Sequence, residues 1–164
     1  MKIKSFMTMT LAVVAFVFGM TSCSSSSDDE PEVAVAEQVA GSYSGNEIVM
    51  VMGDESSNET KTYVLAKASD TSIDMTVPEM GMGGMMTIPA LSVKNIPLTK
   101  IGNTITGKLD KYEGVVTNAA GDEKNYSISN FALVFSDKTV AVTFSLKYGN
   151  MPMSMETTFT STKK

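Results

Sequence analysis

The chain of 164 residues carries 13 basic residues, all lysine, against 18 acids, has no histidine, and has a formal net charge of −5. The absence of a basic stripe excludes the electrostatic footprint of a nucleic-acid binder. Without histidine the usual general acid–base group is missing, along with the nitrogen ligands of zinc. Its one cysteine, Cys23, leaves no disulfide within the chain.

Residues 1–22 form the first element. Lys2 and Lys4 precede a run from Phe6 to Met20 that is apolar apart from two threonines. That run is shorter than the roughly 20 apolar residues a spanning helix needs, so it predicts an export signal. The signal ends in "MTSC", residues 20–23. This stretch resembles the lipobox of bacterial lipoproteins, with Met20 where a leucine or β-branched aliphatic is usual. The resemblance implies lipid on the Cys23 thiol and attachment to the outer membrane. No cofactor is expected beyond that N-terminal lipid, and the membrane is the expected partner through it.

Residues 23–37 read as a flexible acidic tether. A serine run followed by Asp28, Asp29, Glu30 and Glu32 cannot bury a core. Extended, it reaches at most roughly 45–50 Å. An acidic cluster just past the anchor resembles the surface-export signal of lipoproteins from gut-dwelling Gram-negative bacteria, which implies display at the cell surface.

Residues 38–164 are β throughout. "SIDMTV" sets Ile73, Met75 and Val77 against Ser72, Asp74 and Thr76, and "TVAVTFSLK" alternates in the same way. Period-two runs predict strands with one buried face. Turn residues divide the segment into eight strands, near 41–53, 58–68, 71–78, 85–96, 103–117, 122–135, 139–148 and 152–162. Asp110 and Lys111 could break the fifth in two. No stretch outside the signal shows a helical stripe with caps. Eight short antiparallel strands suit an up-and-down barrel, which removes its edges by closing; a sandwich is the rival.

"VAGSYSG", at the start of the first strand, resembles the opening of calycin-like lipoprotein domains, where G-x-[YW]-x-G begins the barrel; Gly41, Tyr43 and Gly45 stand at those positions. The closing "FSLKYGNMPMSMETTF" also resembles that family's last hairpin. The resemblance implies an all-β, lipocalin-like barrel and no particular activity.

Two segments, "MGMGGMM" at 80–86 and "MPMSM" at 151–155, concentrate methionine. In an eight-stranded meander the loop with Met80, Met82, Met85 and Met86 lies at the same end as the hairpin with Met151, Met153 and Met155. Met50 and Met52 end the first strand at that mouth, and Tyr148 stands beside the Gly149-Asn150 turn. Three readings stay open. Methionine packs irregular gaps; a Met-rich surface adapts to varied guests; and thioether sulfur is a soft ligand for Cu(I). Pro78 and Pro89 bracket the first loop, as a movable lid would need.

An enzyme is not expected. Glu47, Asp74, Glu79 and Glu113 are scattered carboxylates without a motif, read as solvated faces and loops. "GMGG" does not open a helix, as a nucleotide loop would. The leading expectation is non-enzymatic binding of a small apolar or amphipathic ligand at the Met-rich mouth. The alternative is docking of another envelope protein. The two differ in whether bulky inward side chains fill the barrel.

Overall fold

The computed structural model describes residues 33–82, 86–137 and 139–162. The signal segment, Cys23 and most of the tether lie outside the described residues. Among the described residues no helix is long and apolar enough to cross a membrane.

A short helix, α1 (Val35–Val39), is followed by ten strands: β1 (Gly41–Val51), β2 (Asp54–Ser69), β3 (Ser72–Val77), β4 (Met80–Met82), β5 (Met86–Ile88), β6 (Leu91–Ile101), β7 (Thr104–Thr117), β8 (Glu123–Ser136), β9 (Thr139–Tyr148) and β10 (Met155–Thr162). Eight of them close into an antiparallel barrel in the order β1-β10-β9-β8-β7-β6-β3-β2, while β4 and β5 pair only with each other. The all-β barrel expected from the alternation is therefore the fold, and the sandwich is not.

The alternation fixes the register. Ile73, Met75 and Val77 of β3 are buried, as are Val140, Val142, Phe144, Leu146 and Tyr148 of β9 and Met155, Thr157, Phe159 and Ser161 of β10. Bulky side chains enter from every barrel strand, and Tyr63 stacks on Phe159 with ring centroids 4.1 Å apart. Phe131 and Phe135 point inward, whereas Ala66 and Ala90 are exposed and Ala132 is half-buried on the outer face, so these alanines open no space inside. The interior is a packed core.

Three expectations are corrected. The folded part begins before residue 38: α1 lies at the tether's end, where no helix is expected, and its Ala36 and Val39 are fully buried. At five residues it is too short to show a stripe, and tertiary contacts hold it. The amide of Ala36 donates to the Asp70 carbonyl at 3.1 Å, and Lys67 donates to Glu37 at 2.7 Å. The expected strand 85–96 is two pieces, β5 and the start of β6, because Pro89 removes a ladder donor and Ile88 and Leu91 are each anchored in the core. The fifth strand, by contrast, is the single one expected, with no break at Asp110 and Lys111: β7 pairs with β8 from Thr104 to Thr117. Finally, Glu47 is no solvated residue; it points into the barrel and is 1% exposed.

The G-x-Y-x-G stretch has a physical role. The Tyr43 hydroxyl donates to the Val39 carbonyl at 2.6 Å, tying α1 to the wall. A Cβ on Gly45 would collide with the Thr160 carbonyl oxygen and lie 2.7 Å from the Ser161 Cβ, so only glycine lets β10 approach. α1 thus plugs the end where β1 begins. The opposite end is the mouth, formed by the β1–β2, β3–β6, β7–β8 and β9–β10 connections.

The wall is thinnest between β6 and β7. They pair only from Leu98–Ile101 to Gly107–Thr104, and toward the mouth the ladder stops. There the hydroxyl of Tyr126, on β8, serves the main chain of Ser92 on β6.

Candidate functional site at the barrel mouth

The mouth gathers several of the methionines but not in one cluster. Met80 (1% exposed) and Met155 (1% exposed) belong to the core. Met80 pairs with Ile88 at the base of the β4–β5 hairpin, so both legs of that hairpin are rooted in the barrel. Met50 is half-buried on the outer face of β1, opposite Glu156. The backbone of Met82 lies in β4; Met85 lies outside the described residues.

The remaining methionines divide between two depressions. The first, of about 370 Å³, is lined by Met86, Glu123, Lys124, Asn125, Tyr148, Gly149, Asn150 and Met151. Met86 and Met151 are half-buried and pack against the core. The loop holding Met151 is fixed by its backbone: Met151 N donates to the Tyr148 carbonyl at 3.2 Å, and Gly149 N donates to the Asn125 carbonyl at 2.7 Å. Gly149 has φ 56, a left-handed conformation that suits glycine. Tyr148 itself is 5% exposed, and its hydroxyl makes no hydrogen bond.

The second depression, about 520 Å³, lies on the outer rim between Met52, Gly53, Lys147, Pro152, Met153, Ser154 and Glu156. Met52 is 80% exposed at a turn tip with φ 55. A third depression, about 430 Å³, runs over the outer face of β7–β9 beside Glu113, Ser127 and Lys147; it shares Asn125 and Gly149 with the first, and no methionine lines it.

The first depression is bordered by a slight excess of acid. Lys124 lies 3.4 Å from Asp122, and Glu123 stands beside it. The neighbouring turn is self-contained, with Asn118 Oδ1 accepting from Ala120 N at 3.0 Å and Asp122 N at 2.8 Å.

The scattered carboxylates stand on separate parts of the wall. Glu47 accepts from the Tyr63 hydroxyl at 2.6 Å. Burial pushes its carboxyl above the usual range, opposed by the Tyr63 bond and by Lys61. Asp74 holds Lys94 and the Asn95 amide, each at 2.9 Å, where β6 bulges. Glu113 pairs with Lys111 at 2.6 Å on β7, and Glu79 is exposed in the link after β3. Reasoning from the sequence missed the buried state of Glu47 and the orphaned hydroxyl of Tyr148. The inward alternation of Tyr43, Glu47 and Val49 could have revealed the first; no local signal marks the second.

The family model of the calycin-like β-barrel domain matches residues 39–162. The chain belongs to that calycin-like family. The calycin-like barrel is also similar to the crystal structure, at 2.40 Å, of a proposed outer membrane protein from Bacteroides fragilis NCTC 9343. The TM-score is 0.60 at 19% identity, over 80% of this chain and 53% of that one. The chain therefore spans about half the length of that protein, and the likeness is one of fold. No curated protein matches the calycin-like chain.

Proposed function

We propose that this calycin-like protein is a lipid-anchored outer-membrane protein, displayed at the cell surface, that binds a small apolar or amphipathic molecule without chemical conversion. The Cys23 motif and acidic tether support the anchor, and the outer-membrane description of the fold neighbour is consistent with it. One observation carries the binding reading: at the mouth, Met86, Tyr148 and Met151 line a depression of about 370 Å³. That volume falls within the range of ligand pockets, and thioether side chains repack around varied shapes. The guest sits on the rim of the barrel rather than inside it.

A second reading, docking of an envelope protein, is favoured by the packed interior and by Met52, 80% exposed at a rim turn. Full-length protein extracted from membranes in mild detergent distinguishes the two by native mass spectrometry. Ligand binding gives one reproducible organic mass that Met86→Ser/Met151→Ser removes without loss of the β signal in circular dichroism. Bare protein in both forms would shift the function to docking.

A further inference from the structure

Four tyrosines turn inward as buried residues: Tyr43, Tyr63, Tyr126 and Tyr148. Three spend their hydroxyls on the fold. Tyr43 donates to the Val39 carbonyl, Tyr63 to the Glu47 carboxylate at 2.6 Å, and Tyr126 to the Ser92 carbonyl at 2.5 Å. Tyr148 alone among them has no partner. A buried hydroxyl without a bond is destabilising, and phenylalanine would fill the same space without that cost. The other orphaned side-chain oxygen among the described residues, Thr157 Oγ1, lies in the packed wall opposite Val49 and Phe144 and lines neither mouth depression. Tyr148 lines the mouth pocket.

Resting on the ligand-binding reading above, we infer that Tyr148 is the polar contact of the site, donating its hydroxyl hydrogen to an uncharged acceptor oxygen of an amphipathic guest. The hydroxyl oxygen is covered in the empty pocket. Met86 and Met151 line the same pocket, are unbranched and are only half-buried, so their side chains can rearrange as a guest enters and close on its apolar part. The head group is neutral because the lining offers no unmatched cation: Lys124 is paired with Asp122, and Glu123 adds an acid. A carboxylate head would face this acidic surface on a protein of net charge −5. The guest class is a short-chain ketone, ester, amide or similar neutral oxygen compound.

The test uses full-length protein in detergent micelles, with 2-octanone, octane and octanoate as probes, read through ¹³C-methyl methionine NMR titration. Micelle partitioning is measured for each probe and subtracted. Wild type is expected to bind 2-octanone about three- to tenfold more tightly than octane, the effect of one neutral hydrogen bond. Tyr148→Phe should abolish that preference while leaving ligand-free Tm unchanged or higher. A fall of several degrees in that Tm would overturn the inference, because the hydroxyl would then be bonded within the fold. Equal binding of 2-octanone and octane to wild type would remove the acceptor contact yet leave an apolar mouth standing. Tighter binding of octanoate would overturn the neutral head. Failure of all three probes would overturn both this assignment and the ligand-binding reading.

Discussion

The side chain of Tyr126 reaches across β7 to the main chain of Ser92, donating to its carbonyl at 2.5 Å and accepting from its amide at 3.3 Å. It stands where the β6–β7 ladder has stopped, so one phenol does the work of a missing strand residue. Gly114, paired with Tyr126, makes the crossing possible, because a Cβ there would lie 2.6 Å from the ring's Cε1. Tyr126→Phe leaves both Ser92 groups unpaired and should destabilise by about 1–3 kcal/mol. Denaturant unfolding measures this, and hydrogen exchange at the Ser92 amide should quicken.

Gly114→Ala should also destabilise, by about 1–3 kcal/mol, through overpacking against that ring. Combined with Tyr126→Ala, its cost should largely vanish, since the clash partner is gone; strict additivity in the double-mutant cycle would refute the contact.

Glu47 predicts an inverted pH response. Burial raises its folded pKa above the unfolded value. Below the unfolded value both states are protonated and the folded state bears no charge penalty. As pH rises through the folded value, the buried carboxyl ionises and stability is lost. Glu47→Gln removes that dependence while keeping an acceptor for Tyr63. Thermal melts should show the two proteins alike in acid and the variant more stable toward neutral pH; parallel melting curves across the range would contradict the burial account.

The β1–β2 turn contains an avoidable strain. Met52 has φ 55 and Gly53 φ 92, and a two-residue hairpin with both central residues at positive φ favours Asn-Gly. Met52→Asn should raise stability by about 0.5–1.5 kcal/mol, measured by chemical denaturation. With 80% of Met52 exposed, no packing is lost in exchange.

Cys23→Ser should move the protein from the membrane fraction to the soluble one. Unchanged fractionation would remove the lipid anchor from the proposal.

Period-two patterning made the barrel legible because it needs only one buried face per strand. It located the eight wall strands and kept β7 whole despite Asp110 and Lys111, since β8 ladders along it throughout. What stayed hidden depends on contacts remote in sequence. α1 exists because Ala36 and Val39 are buried and the Ala36 amide is held by the Asp70 carbonyl at the β2–β3 turn, and the split at Pro89 because Ile88 and Leu91 are separately rooted. The mouth methionines could be assigned to one end, but not sorted among core, pocket and outer rim. Met80 and Met86 belong to the same hairpin, yet Met80 is core while Met86 lines the pocket; pairing across β4–β5 decides this, not composition.

Plugging one end by α1 has a consequence for how the molecule can vary. β1 begins at the plug, and β10 runs back to the same end, with Gly45 opposite Ser161. Both described termini, near Val33 and Thr162, therefore leave from the plugged end, roughly 30 Å from the mouth by strand length and tilt. Among the described residues the mouth is built from the connections between strands. A fluorescent or affinity tag joined after the last strand would leave the mouth unobstructed, and the turns at its outer rim can exchange sequence while the wall and its plug stay as they are, much as variable loops do on a constant framework.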